Sequence, residues 1–178
     1  MKKMIFAFLI MLTCQVNSQE AEPGNVITSY GKTFDVKSPE FKTDTTSVLK
    51  VVFDVDRPFK ASEPNALIET AARFLNMHEK AGVNPRNMKV ALVIHGKAVK
   101  DVLKDEYYQD TYTEETSNPN SGLIKELANN GVEIILCGQS AAFYKVTREK
   151  AMDEVKYSLS AMTALVQLQN DGYQLIKF

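Results

Sequence analysis

Two side chains in this 178-residue sequence could carry out nucleophilic chemistry together: the thiol of Cys137 and the imidazole of His95. Each follows a run of apolar residues and precedes a glycine, Gly138 and Gly96 respectively. A thiolate is a nucleophile that can carry a persulfide, and a nearby histidine can donate or accept a proton. The pattern predicts a reactive thiol with His95 beside it.

The residues after Cys137 add to this site if a helix begins there. The backbone N–H groups of Gly138, Gln139 and Ser140 would then be free in the first turn. Such a helix start favours anions and lowers the pKa of a thiol. Glycine lets the backbone approach a ligand closely, so Gly96, Gly138, Gln139 and Ser140 are candidate ligand-binding residues.

Each candidate also has an interpretation without chemistry. Free cysteine is among the most buried residue types, so Cys137 can be a small apolar residue that fills a strand end. His95 can bond to nearby backbone and order the following loop. His78 lies on the apolar side of its predicted helix and is expected to pack there. The tyrosines at 107, 108 and 112 are expected to pack within their loop and not to form a binding cage.

Strands and helices are predicted to alternate around Cys137 and His95. Both residues would then lie at the carboxyl ends of parallel strands, the edge of an open α/β sheet where ligands bind. The sequence predicts a three-layer α/β sandwich with a mainly parallel sheet of about five strands. Apolar or β-branched runs place these strands at residues 48–55, 89–96, 132–136, 155–157 and 173–178.

Helices are predicted between the strands from apolar residues at helical spacing. The first is capped by Ser62, carries Asn76 on its polar face and ends at Gly82. Residues 107–117 show no regular pattern and are expected to form an irregular loop. Further helices are expected at 98–105, from Asn120 or Ser121, at 141–146, and from Ser160 with Met162, Leu165, Val166 and Leu168 inward.

Several familiar sites are absent from the sequence. There is no Gly-rich phosphate loop and no Gly-x-Ser-x-Gly elbow of a serine hydrolase. The histidines and cysteines have no metal-ligand spacing, so neither a metal nor a cofactor is expected. Residues 137–140 have the outline of a Cys-x-x-Ser redox motif, but thioredoxin-like folds place that motif after an early strand.

The first 18 residues are predicted to be a secretory signal peptide. Lys2 and Lys3 precede an apolar run at residues 4–13, which is too short to span a bilayer of about 30 Å as a helix. Cleavage is expected after Ser18, which would remove Cys14; the alternative is a lipoprotein acylated on Cys14. The protein is therefore expected to be exported, periplasmic or secreted, with no integral membrane segment after cleavage.

Cleavage would leave one weakly acidic domain with an extension. Without Lys2 and Lys3, 19 of the 21 basic residues remain against 22 acidic residues, a net charge of −3. This balance does not favour nucleic acid as a partner. Residues 19–46 are polar and rich in turn residues, which predicts an extended N-terminal arm lying over a domain of residues 47–178.

Short motifs between residues 48 and 178 carry a resemblance to a known family. They are Val93-Ile94-His95-Gly96, Asn118-Pro119-Asn120, residues 131–140, residues 160–164, Gln169 and Gly172-Tyr173. With them the chain resembles an exported branch of the DsrE/DsrF-like family (YchN-like fold). The resemblance implies a five-stranded α/β sandwich that forms homo-oligomers, as dimers, trimers or hexamers. It also adds Asn118 to the candidate ligand-binding residues.

The resemblance implies a role for Cys137 as well. The best understood branch of the family relays sulfur through a cysteine at the end of this strand, which accepts a persulfide and passes it to a partner protein. One hypothesis is therefore an exported sulfur-accepting or redox thiol protein with a sulfur donor or acceptor as partner. The other is a non-catalytic oligomer that binds a small ligand at the same edge, with Cys137 structural.

Overall fold

The computed structural model describes residues 19–178. The predicted signal peptide and Cys14 lie outside the described residues. The domain is built on one five-stranded sheet in which every neighbouring pair of strands is parallel. The order is β4-β3-β2-β1-β5. The strands are β1 (Leu49–Val55), β2 (Met88–Ile94), β3 (Glu133–Cys137), β4 (Val155–Ser158) and β5 (Gln174–Ile176).

The strand order places the helices on two faces. From β1 to β4 each strand is added on the same side of the previous one, whereas β5 returns to the other side of β1. Right-handed crossovers then put the last helix on the opposite face from the others, which gives three layers and confirms the predicted fold class. The helices are α1 (Ala66–Lys80), α2 (Asp105–Thr111), α3 (Ser121–Asn129), α4 (Gly138–Tyr144) and α5 (Ala161–Asn170), with 3₁₀ helices at Pro85–Asn87 and Gly96–Val102.

The two faces bury different sets of strand residues. The larger core packs Phe53, Leu92 and Leu136 against the helices that precede β4, whereas the smaller core packs Val52, Val93 and Cys137 against α5. Successive residues of a strand point to opposite faces, which explains the division. The side chain of Cys137 therefore lies on the α5 side of the sheet.

The cap of α1 and the segment at residues 107–117 differ from their predictions. The cap of α1 is Asn65 rather than Ser62, because the Asn65 side chain accepts a hydrogen bond from the backbone N–H of Leu67. Residues 107–117, predicted to be an irregular loop, include most of α2. Tyr108 anchors this short helix: it is 1% exposed and its hydroxyl donates to the Ala61 carbonyl at 2.9 Å.

Helix α5 begins at the predicted cap but faces the sheet differently. The Ser160 hydroxyl accepts a hydrogen bond from the backbone N–H of Thr163, as expected of a cap. The buried residues are the small ones, Ala161 and Ala164, because they allow the helix to approach the sheet closely. Met162 and Val166, which were predicted to face inward, are 75% and 56% exposed.

The segment at residues 19–46 lies along α1. Its backbone forms a small antiparallel bridge between Glu22 and Thr33. Asn76 of α1, expected on a solvent-facing side, is fully buried beneath this segment. Its amide bonds to the backbone N–H and carbonyl of Ile27, at 2.9 Å each, and to the carbonyls of Tyr30 and Gly31. One polar side chain thus satisfies the backbone of a segment without regular structure.

Candidate functional site

Cys137 and His95 meet at the same edge of the sheet. Ile94 pairs with Leu136 in the register of β2 and β3, so the next residue on each strand, His95 and Cys137, lies at the same level. Neighbouring strands are about 4.8 Å apart. Both residues therefore lie at the edge formed by the carboxyl ends of the strands.

The Cys137 thiol caps helix α4. Its Sγ accepts a hydrogen bond from the backbone N–H of Ser140 at 3.4 Å. Burial raises the pKa of this thiol, but hydrogen bonds from the Ser140 hydroxyl and from the backbone N–H groups of Ser140, Ala161 and Gln139 outweigh it. The net pKa of Cys137 is lower than that of an ordinary cysteine. The surroundings of the sulfur therefore favour the thiolate.

The donors come from the starts of two helices. Ser140 and Gln139 belong to α4, while Ala161 is the first residue of α5. Gly138 brings the two starts together, because a Cβ at this position would lie 2.5 Å from the Ser158 carbonyl oxygen. Gly138 thus permits the start of α4 to lie close to the backbone that leads from β4 into α5.

His95 is held by the carboxylate of Asp54. The Nε2 atom of His95 lies 2.7 Å from Oδ1 of Asp54, and Lys177 donates to the other oxygen of Asp54 at 2.6 Å. Hydrogen bonds to Asp54 and Asp56 raise the pKa of Lys177. A carboxylate acceptor makes Nε2 of His95 the donor in this bond, and in a neutral imidazole Nδ1 is then the acceptor.

Ser140 also connects the ends of the two central strands. Its hydroxyl oxygen accepts a hydrogen bond from the backbone N–H of Gly96 at 3.0 Å. Gly96 has a φ of +57°, and a Cβ there would lie 2.6 Å from the Asp56 carbonyl oxygen. This backbone conformation and contact both require glycine. Gly96 therefore shapes the loop that carries His95.

Three residues of the site were missed at the sequence level: Asp54, Ala161 and Lys177. Asp54 interrupts the apolar run of β1 one residue before its end. The alternation of side chains along a strand places it on the same face as Cys137, and this signal could have identified it. Ala161 contributes only its backbone N–H, and a residue type does not show where its backbone N–H points. Lys177 follows β5, whose position beside β1 no local pattern indicates.

The side chains of two predicted ligand-binding residues make no hydrogen bond to the thiol. The side chain of Gln139 is exposed, and its Nε2 is 3.5 Å from the Leu159 carbonyl oxygen. Asn118 is buried, and its amide donates to the carbonyls of Asp101 and Leu103 while its oxygen accepts from the backbone and side chain of Asn120. All four hydrogen-bonding capacities of Asn118 are used within the chain.

The Asn118 network encloses a buried acid. Asp101 is 3% exposed and accepts a hydrogen bond from Nδ2 of Asn65 at 2.6 Å. Burial raises the pKa of Asp101 to about 6, which the bond from Asn65 opposes. The backbone N–H of Asn65 bonds to the side chain of Asn120, so the network joins the starts of α1 and α3.

No three His, Cys, Asp or Glu side chains in residues 19–178 are grouped closely enough to hold a metal ion. No helix in the same range combines the length and apolar character needed to cross a membrane.

The chain is similar to known proteins over most of its length. The model of the DsrE/DsrF-like family matches residues 50–178. The structure is similar to protein MTH1491 of Methanobacterium thermoautotrophicum, described as a protein of unknown function, with a TM-score of 0.54 and 17% identity over 73% of this chain and 99% of that one. It is also similar to the ychN protein of E. coli, with a TM-score of 0.53 and 18% identity over the same shares. No curated protein matches the sequence.

Proposed function

Because this chain belongs to the DsrE/DsrF-like family, a sulfur-relay type of family, we propose that it is an exported thiol protein that accepts sulfur at Cys137 and passes it on. Export rests on the basic and apolar pattern of residues 1–18. The observation that carries the sulfur chemistry is the set of donors around the thiol, which lowers its pKa. A thiolate, not a thiol, is the nucleophile in sulfur exchange.

The transfer step needs no oxidant. The Cys137 thiolate attacks the outer sulfur of a donor persulfide, R–S–SH; a new S–S bond forms at Cys137, the S–S bond of the donor breaks, and the donor leaves as R–S⁻. An acceptor thiolate then attacks the outer sulfur on Cys137 and releases the Cys137 thiolate again. The N–H groups of Gln139 and Ala161, which lower the pKa of Cys137, would also stabilise negative charge on a sulfur bound there.

His95 acts as the general base and general acid in this scheme. With Nε2 donating to Asp54, Nδ1 takes the proton from the Cys137 thiol before attack and returns it to the leaving thiolate. Asp54 fixes the ring orientation and stabilises the positive charge that forms. This assignment uses only groups that meet at the edge of β1, β2 and β3.

We further propose that the protein acts as a homo-oligomer. Four large apolar side chains of α4 and α5 and their connections are exposed: Phe143, Leu159, Met162 and Val166, at 56–78%. Met162 and Val166 lie one turn apart on α5 and Leu159 just precedes this helix, and exposed apolar residues grouped in this way mark interaction surfaces. Leu159 and Phe143 belong to the segments that flank Cys137, so a second copy would cover the thiol site.

One observation favours the alternative, a non-catalytic ligand-binding or interaction protein. Cys137 is only 5% exposed and packs with Val93 and Ala161. A thiol this buried can simply fill the end of β3. In that case Cys137 would serve to fill the strand end, and the reactivity of its sulfur would have no role.

The experiment that separates these functions is sulfur loading of the purified full-length chain carrying Cys14→Ser. After incubation with polysulfide, intact mass is expected to increase by one sulfur atom, and peptide mapping is expected to place it on Cys137. The additional variant Cys137→Ser should gain nothing, because an alcohol cannot hold a persulfide. A folded protein without the adduct would contradict the proposed function, and ligand binding retained by Cys137→Ser would favour the alternative.

A further inference from the structure

A cleft lies away from Cys137, between residues 32–36, helix α1 and residues 176–178. Its volume is about 600 Å³, within the range of roughly 300–1,000 Å³ typical of small-molecule sites. None of the residues around the Cys137 thiol lines it. Its wall is mainly aromatic and aliphatic, and the polar residues in it are Lys32, Thr33, Thr70, Arg73 and His78. The apolar residues are Phe34, Val36, Phe53, Phe74, Met77, Ile176 and Phe178.

The fold explains why space remains at this position. Strand β5 pairs only with β1, with Ile176 beside Phe53, so it forms the edge of the sheet. Residues 32–36 close the side that α1 leaves open. The wall is fixed by aromatic contacts, since Phe53 packs edge-on against Phe74 at 5.9 Å and stacks with Phe178 at 6.5 Å.

Two polar features accompany this apolar wall. Thr33 lines the cleft and is 6% exposed, and its buried hydroxyl has no hydrogen-bond partner among residues 19–178. The charged residues of the lining are Lys32 and Arg73, with no carboxylate among them. Arg73 is paired with Glu69 at 3.1 Å, whereas Lys32 forms no ion pair within the described part of the chain.

We propose that this cleft binds an anionic amphiphile, a small molecule with an apolar body and one negatively charged head group. The body lies against Phe34, Phe74 and Phe178, and the head group lies at Lys32. Apolar walls with a few polar groups that fix orientation are the usual composition of such sites. The proposal is independent of Cys137 and of sulfur transfer.

Calorimetric titration of the full-length chain with dodecanoate, below its micelle concentration, tests the assignment. Saturable binding at one site is expected. Lys32→Gln is expected to weaken dodecanoate binding about fivefold and to leave binding of dodecanol, which has no charge, unchanged. Lys42→Gln makes the same change of charge outside the cleft and should have no effect. Met77→Glu, at a half-exposed wall position, should abolish dodecanoate binding.

Three results would overturn the proposal. The first is the absence of saturable binding by dodecanoate to the folded protein. The second is binding that Met77→Glu leaves unchanged, since the ligand would then lie elsewhere. The third is equal binding of dodecanol and dodecanoate with no effect of Lys32→Gln. The cleft would then not recognise the negative charge of the ligand. If, in the first case, Met77→Glu also converts an oligomer to a monomer, the cleft is a contact between copies.

Discussion

Replacing Ser140 by alanine is expected to reduce the fraction of Cys137 present as thiolate about tenfold at neutral pH. The substitution removes the hydroxyl that donates to the sulfur, and a hydrogen bond to a charged acceptor contributes about 1.5 kcal/mol. The pKa of Cys137 should rise accordingly. The measurement is the pH dependence of the alkylation rate of Cys137 by iodoacetamide, with Cys14→Ser in both proteins.

Ser158→Ala is the matched control for this substitution. Ser158 lies at the end of the neighbouring strand, but its hydroxyl bonds to the carbonyls of Leu136 and Ser160 and not to the thiol. Its alkylation profile should match that of the unmodified protein. The account of the site would be contradicted if Ser158→Ala shifted the profile as far as Ser140→Ala, or if Ser140→Ala left it unchanged while the protein stayed folded.

A large effect of pH on the free energy of unfolding is expected from Asp101, which lies away from the thiol. Burial raises the pKa of Asp101 to about 6 from an ordinary value of 3.8. The folded state therefore binds this proton more tightly than the unfolded state. The stabilisation from Asp101 is complete below about pH 4 and is lost as pH rises through about 6, and the loss amounts to about 3 kcal/mol.

Asp101→Asn should remove this loss, because asparagine stays neutral and its oxygen can still accept the bond from Asn65. At pH 7 the free energy of unfolding should increase, by up to about 3 kcal/mol, and its fall between pH 4 and pH 6 should flatten. Denaturant unfolding at several pH values measures both. Asp110→Asn, at an exposed position, should leave the curve unchanged. Lower stability of Asp101→Asn at pH 7 would show that the carboxylate is paired favourably.

The central strands and the edge that carries Cys137 and His95 could be predicted because buried parallel strands are continuous apolar runs. Such runs differ from the polar turns and amphipathic helices between them, and their carboxyl ends must share one edge. The thiol environment was predictable in part. A helix start after Cys137 follows from Gly138 and Ser140, but the second helix start, at Ala161, depends on how β4 lies beside β3.

Other features escaped prediction because they depend on tertiary contacts. Asn76 looked solvent-exposed, since nothing in the local pattern shows that residues 19–46 cover that side of α1. Met162 and Val166 looked like core residues, but helix α5 turns its small residues to the sheet. Asn118 carried a family motif, yet the structure uses it to organise the loops around Asp101.

Direct titration of Cys137 in the folded protein, carrying Cys14→Ser, tests the central claim that two helix starts and the Ser140 hydroxyl stabilise its thiolate. The ultraviolet absorbance of the thiolate and the rate of alkylation should rise with pH together. We predict a common midpoint below about pH 8.5, the value of an unperturbed cysteine. A midpoint at or above that value would contradict the claim, because burial would then outweigh the hydrogen bonds to the sulfur.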